Sequence, residues 1–242
     1  AETCDASLTE TLLDSQSSSS EETERITMRG LLRNGHGMLS YLALLTAYFV
    51  VSLYRVSFST QIVKEYPPIT PHLGSLWAIG SSTYVLGAYG IRKIPPVVSR
   101  QVLIIIELTG LAVCLFLAGP FELYPGLGIS NSVPLMVTGF LLNGLFFGSL
   151  AVSAGVDLVN VAKEMYSTDP KVNDVASATY FNALATGEVC GPLLVGLSNQ
   201  HLGYRPTCTI VGIAVCVLAV ASLVNYWERK RQQKHIFECP LQ

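Results

Sequence analysis

The stretch Val133–Val156 reads VPLMVTGFLLNGLFFGSLAVSAGV and contains no charged side chain. A helix rises about 1.5 Å per residue, so a helix of this length matches the roughly 30 Å hydrocarbon core of a bilayer. Apolar runs of similar length recur along the chain, and the six predicted spans are residues 39–58, 73–91, 102–118, 133–156, 176–197 and 207–226. The pattern predicts an all-α polytopic membrane protein, folded as a bundle of six transmembrane helices.

The composition of the 242-residue chain favours a membrane protein over a soluble helical bundle. Hydrophobic residues make up 50% of the chain, charged residues make up 13%, and the mean hydropathy is +0.45. The net charge of −2 is spread over predicted loops and tails. The apolar composition predicts the lipid bilayer as a partner. Because the sequence has no basic patch, we expect no nucleic-acid partner.

The chain divides into three predicted segments. Residues 1–36 are rich in Ser and Glu and are expected to be a disordered cytosolic tail or linker. Residues 37–228 hold the six-helix transmembrane domain, and residues 229–242 form a basic C-terminal tail.

Lys and Arg residues are distributed unequally between the two sides of the membrane when the chain crosses it six times. Twelve fall on the side of the two termini, whereas only Lys64 and Arg205 fall on the opposite side. Since cytoplasmic segments carry the excess of basic residues, both termini are predicted to be cytosolic. The sequence leaves open whether the membrane is the plasma membrane or that of a vesicle.

Glu188 is the outstanding charged residue of the predicted spans, because it lies midway along the fifth one. A carboxylate at that depth costs about 2.5 to 3.5 kcal/mol and needs a partner, a cavity or a proton. Its neighbours on the same helix provide no compensating charge. We therefore interpret Glu188 as the candidate for proton coupling, with a structural hydrogen bond to another helix as the alternative.

Other polar and aromatic residues recur at helical spacing and predict a cavity between helices. Tyr48 and Arg55 share a face of the first span, and Trp77 and Tyr84 share a face of the second. Facing one another, such stripes suit an organic cation through cation–π contact and hydrogen bonds, although ordinary helix packing is the alternative. The substrate or cavity candidates are Tyr48, Arg55, Trp77, Tyr84, Asn143 and Asn182.

Two further acidic residues fall near the predicted cytosolic ends of spans. We expect Glu107 to pair with the basic side chains of the second loop, and Asp157 to lie at the membrane interface.

The fifth span contains the element Gly187-Glu188-Val-Cys-Gly191-Pro192-Leu-Leu-Val-Gly196, and Gly203-Tyr-Arg205 follows it. This stretch resembles the eleventh helix, the next loop and the start of the twelfth helix of major facilitator superfamily transporters. The drug:proton antiporter and vesicular amine or polyamine branch is the most similar. Leu117-Ala-Gly-Pro120 and the glycine-rich fourth span extend the resemblance to the ninth and tenth helices.

The resemblance implies that residues 37–228 correspond to the C-terminal half of such a transporter, helices seven to twelve. It also implies that Gly187, Gly191, Pro192 and Gly196 serve helix packing and gating, and that a missing N-terminal half or a second copy is needed. The cytosolic gating loop of the family is represented by Arg92, Lys93 and Arg100. Ile91 stands where that loop usually has an acidic residue.

The predicted function is a secondary active transporter, or its C-terminal half, that exchanges protons for a small organic cation, amine or drug. The alternative is a non-transporting six-span scaffold or regulatory subunit derived from a split or truncated transporter. An enzyme is not expected, because the sequence has no HExxH or GxSxG motif and its histidines lie in predicted tails or loops. No metal site or cofactor is expected, since the six cysteines show no CxxC spacing.

Overall fold

The structure, a computed structural model, describes residues 28–94, 98–119, 133–166 and 171–238. Every element in these ranges is helical, which confirms the prediction of an all-α chain. The helices are α1 (Met28–Arg33), α2 (Gly35–Leu53), α3 (Ser59–Glu65), α4 (Leu73–Arg92), α5 (Arg100–Ala118), α6 (Val133–Tyr166), α7 (Lys171–His201) and α8 (Tyr204–Glu238). A π-helical turn (Tyr54–Phe58) joins α2 to α3, and a 3₁₀ segment (Pro67–His72) leads into α4.

Four helical stretches of the described residues are long and apolar enough to cross a membrane. They are Gly35–Lys64, Arg100–Ala118, Pro134–Tyr166 and Tyr204–Gln232. The predicted second and fifth spans form the helices α4 and α7, but these two are not among the four. The physical reason is polar content, since α4 carries Ser81-Ser82-Thr83 and α7 carries Asn182 and Glu188.

The helical bundle extends beyond both predicted boundaries of the transmembrane domain. Helix begins at Met28, so residues 28–36 of the predicted tail are ordered, and Leu31 is fully buried. Asn34 caps α2, because its side-chain oxygen accepts a hydrogen bond from the backbone N–H of His36 at 3.1 Å. At the other end α8 runs to Glu238, into the predicted basic tail. Residues 1–27 and 239–242 lie outside the described residues.

Helix α6 is the centre of the bundle, because it packs on α2, α4, α5 and α7. Its crossing with α4 depends on glycine. A side chain at Gly87 would collide with the backbone oxygen of Leu145, and one at Gly148 would collide with that of Tyr84. This close backbone approach fixes α4 against α6 and sets the separation of the side chains on either side of the crossing.

Helix α2 packs mainly on α7, through the glycines of the motif that carries the family resemblance. A Cβ atom at Gly187 would lie 2.8 Å from the backbone oxygen of Leu45, and one at Gly191 would collide with Ser52. Gly196 has open space around a would-be Cβ, so it makes no such close contact, and its role in packing or gating stays a prediction. Pro192 is exposed, and α7 continues through it. The chain reverses after α7 at Gly203, whose φ of 87° favours glycine.

Replacing Gly87 with alanine is expected to lower the free energy of unfolding by about 1 to 3 kcal/mol, because the new methyl group forces α4 away from α6. Gly90, on the same helix, has no atom within 4 Å of a would-be Cβ. Gly90→Ala is the matched control and should raise stability by roughly 0.5 to 1 kcal/mol. Thermal unfolding of the purified protein in detergent measures both, and equal effects of the two substitutions would contradict the packing account.

Candidate functional site

A cavity of about 320 Å³ lies between α2, its π-helical turn, α4 and α6. Five of the six predicted cavity residues line it, namely Tyr48, Arg55, Trp77, Tyr84 and Asn143. These residues come from three helices that are far apart in the sequence, so their convergence is a property of the fold. The π-helical turn, which includes Arg55, is a feature that often marks functional sites in helices.

Aromatic rings form most of the cavity wall and hold one another in place. The rings of Trp77 and Phe140 lie 4.9 Å apart edge to face, and Phe147 lies 5.3 Å from both Tyr48 and Tyr84. Such arrangements contribute about 0.5 to 1.5 kcal/mol per pair beyond the burial of area. The indole N–H of Trp77 donates to Ser59 Oγ at 3.1 Å, which fixes the orientation of the ring.

Asn143 supplies the cavity with a buried polar atom. The residue is 3% exposed, and its side-chain oxygen has no hydrogen-bond partner among the described residues. Buried acceptors of this kind are uncommon, because the lost hydrogen bonds to water cost about 1 to 3 kcal/mol. The oxygen is therefore an unsatisfied acceptor in the wall of the cavity.

Arg55 and Glu188 form an ion pair at the edge of the cavity. Arg55 Nη1 donates to Glu188 Oε1 at 3.0 Å, and the two side chains are 58% and 38% exposed. Glu188 therefore has a cationic partner on another helix, which inspection of its own helix alone did not reveal. The pair joins α7 to the cavity wall.

Asn182 is the predicted cavity residue that does not line the cavity. Its side-chain oxygen accepts a hydrogen bond from Tyr41 Oη at 2.8 Å, and this contact links α7 to α2. Two residues closer to the start of α7, Tyr180 Oη lies 2.7 Å from Tyr48 Oη. Two hydrogen bonds thus connect α7 to α2 beside the cavity.

A second polar cluster lies near the ends of α2, α5 and α6, and the sequence analysis missed it. Asp157 is 5% exposed, accepts a hydrogen bond from Ser40 Oγ at 2.5 Å, and lies 3.2 Å from His36 Nε2. The Gln101 amide nitrogen lies 2.9 Å from His36 Nδ1. The predicted tail position of His36 is wrong, because α2 begins at Gly35, whereas the position of Asp157 at the membrane interface stays a prediction. The spacing of His36 and Ser40, one turn apart, was the signal available in the sequence.

Glu107 is also buried, and its partner differs from the expected one. Ser153 Oγ donates to Glu107 Oε1 at 2.9 Å, which joins α5 to α6. The expected ion pair with Arg92, Lys93 or Arg100 is not among the described contacts. The carboxyl group is held by hydrogen bonding to α6, and Arg100 acts on it through its charge alone.

The basic residues of the predicted gating loop lie at the ends of two helices. Arg92 ends α4, Arg100 begins α5, and the ammonium group of Lys93 lies 4.9 Å from the centre of the Tyr89 ring. Residues 95–97 between them are outside the described residues, so a gating role of this loop stays a prediction.

The described ranges contain no group of three or more His, Cys, Asp or Glu side chains that could hold a metal ion.

The chain matches no protein-family profile, and comparisons with curated proteins and with solved structures give no match either.

Proposed function

We propose that the chain forms six transmembrane helices of a secondary active transporter that exchanges protons for a small organic cation, an amine or a drug. The observation that carries the proposal is the convergence of Tyr48, Arg55, Trp77, Tyr84 and Asn143 on one cavity of about 320 Å³. That volume lies within the range of small-molecule sites, which combine apolar walls with a few polar groups.

The chemistry of the cavity favours a cationic solute. Aromatic faces attract ammonium groups through their ring quadrupoles, and this attraction contributes up to about 2 kcal/mol when water is excluded. Glu188 balances the positive charge of Arg55, so the electrostatic repulsion between Arg55 and a cationic solute is reduced.

Exchange follows from competition for the Glu188 carboxylate. In the ionised state the carboxylate interacts with Arg55 or with the ammonium group of the solute, whereas in the protonated state it interacts with neither as an ion pair. Arrival of the cation therefore favours release of the proton, and protonation favours release of the cation. This reciprocity is what antiport requires.

The proposal requires that α4 and α7 also cross the membrane. Both helices expose apolar side chains, and their polar residues Ser81, Ser82 and Asn182 are exposed as well. On α4 the exposed residues include Ile79, Val85 and Leu86, and on α7 they include Val189 and Leu193. Polar side chains inside a membrane are tolerated where they face protein or a cavity, so we propose that another protein segment covers Ser81, Ser82 and Asn182.

A second six-helix unit, or a second copy of this one, would cover the open side of the cavity. The Arg55–Glu188 pair is substantially exposed, and an exposed ion pair facing lipid would be costly. Protein cover on this face agrees with the resemblance to half of a transporter. We propose that both termini lie in the cytosol, on the basis of the distribution of Lys and Arg.

Uptake into liposomes tests the proposal. The protein is purified with any chains that remain bound to it and is reconstituted with an acidic interior. A labelled aromatic amine is compared with a neutral analogue of the same size and with an organic anion. We expect the amine alone to accumulate, and a protonophore to abolish the accumulation. Uptake no greater than in protein-free liposomes, for every amine and both gradient directions, would refute the proposal.

A further inference from the structure

A second cavity, of about 390 Å³, opens where α5 begins and where α6 and α8 near their ends. Its lining is largely polar and includes Arg100 from α5, Glu164 from α6, and Tyr226, Arg229 and Lys230 from α8. We call it the polar cavity. It shares no lining residue with the aromatic cavity described above.

The charges around the polar cavity leave an excess of cations. Its lining has three cationic side chains, Arg100, Arg229 and Lys230, and two carboxylates, Asp157 and Glu164. Asp157 is already engaged by Ser40 and His36, and Glu164 lies 3.5 Å from Arg229. The cavity is therefore suited to a ligand that bears negative charge and accepts hydrogen bonds.

The position of the polar cavity on α8 points to the headgroup layer of a membrane. Tyr226 lines the cavity and Trp227 is exposed beside it, and such aromatic residues are enriched at the membrane–water boundary. On the side toward the middle of the span, α8 exposes Val217, Val220 and Leu223. A phosphate in the cavity would thus have an apolar surface next to it for acyl chains.

We propose that the polar cavity binds the phosphate group of an anionic lipid headgroup, with Arg100 and Lys230 as its principal cationic contacts. Basic pockets between membrane helices bind such headgroups, and each Lys or Arg near the surface strengthens the attraction. Arg100 and Lys230 come from different helices, so the bound lipid also ties α5 to α8. The inference does not depend on the proposed transport activity.

Native mass spectrometry of the purified protein tests the inference. Phosphatidylglycerol is titrated against the protein, with phosphatidylcholine as the zwitterionic comparison, whose phosphate charge is balanced by its own choline group. In the double variant Arg100→Gln with Lys230→Gln, phosphatidylglycerol is expected to bind roughly 30-fold more weakly. The control removes two exposed cations outside the cavity, by Lys93→Gln with Lys163→Gln, and should retain most of the affinity.

The variant Arg100→Lys with Lys230→Arg keeps the charge and should keep the binding, which separates lost attraction from lost folding. Equal weakening in the cavity and control variants, or none in either, would overturn the proposal. Inorganic phosphate is titrated in a parallel experiment. We expect it to compete only at far higher concentrations than the lipid, whereas competition at equal concentrations would show a site for soluble phosphate and overturn the assignment to a lipid.

Discussion

Glu188→Gln is expected to abolish the dependence of solute uptake on the pH gradient, with a loss of at least about tenfold in gradient-driven accumulation. Glutamine has nearly the same shape as glutamate and can still accept a hydrogen bond from Arg55, but it neither gains nor loses a proton. Binding of the solute to the cavity should persist at reduced affinity. Uptake into acid-loaded liposomes, with and without a protonophore, measures the change.

Arg55→Gln is the matched control for that prediction, because it breaks the same 3.0 Å ion pair and leaves the carboxyl group in place. This variant should remain sensitive to the pH gradient even where its rate falls. The double variant, with both residues changed to glutamine, restores charge balance and should remain uncoupled. If the double variant recovered coupling, the effect of Glu188→Gln would be due to the unpaired arginine, and Glu188 would not carry the proton.

Asp157→Ala is expected to lower the free energy of unfolding by about 3 kcal/mol, which is the largest stability effect that we predict. The carboxylate lies in a buried cluster with His36 and Ser40, and both lose their acceptor when it is removed. The cluster joins the start of α2 to α6. The measurement is thermal or denaturant unfolding of the purified protein.

Glu164→Ala provides the comparison for Asp157, since Glu164 lies on the same helix and forms an exposed ion pair with Arg229. Exposed pairs contribute about 0 to 1 kcal/mol, so the change should be small. Asp157→Asn should lie between the two, because the amide oxygen remains an acceptor for Ser40. A loss for Asp157→Ala no larger than that for Glu164→Ala would contradict the account of a buried cluster.

The sequence was most informative about where helices lie. The six apolar runs correspond to long helices, because length and apolar content are local properties that a sequence displays directly. The predicted ends of the helices were less accurate than their predicted positions. Helix α2 begins before the predicted start at residue 37, since the Asn34 cap extends the helix beyond its apolar run. Counting charged and polar residues also proved ambiguous for α4 and α7, which carry polar side chains among their apolar ones.

The cavity was partly predictable because helical spacing reveals which side chains share a face. Tyr48 and Arg55 on α2, and Trp77 and Tyr84 on α4, line one cavity for that reason. Contacts between helices were not predictable. The pairing of Arg55 with Glu188 depends on the close approach of α2 and α7 at Gly187 and Gly191, and that of His36 with Asp157 depends on the packing of α2 on α6. Asn182 shows the limit, since its place along the span gave no indication that it binds Tyr41.

We propose that the aromatic cavity receives an organic cation, and the fluorescence of Trp77, which lines the cavity, reports on its binding directly. The chain has two tryptophans, and Trp227 lies exposed on α8, away from the cavity. In the variant Trp227→Phe, titration with an aromatic amine should change the Trp77 fluorescence saturably, and the neutral analogue should bind at least about tenfold more weakly. The variant Trp77→Phe, which retains Trp227, should show no saturable change. Equal responses to the amine and its neutral analogue, or none from Trp77 at any concentration, would contradict the account.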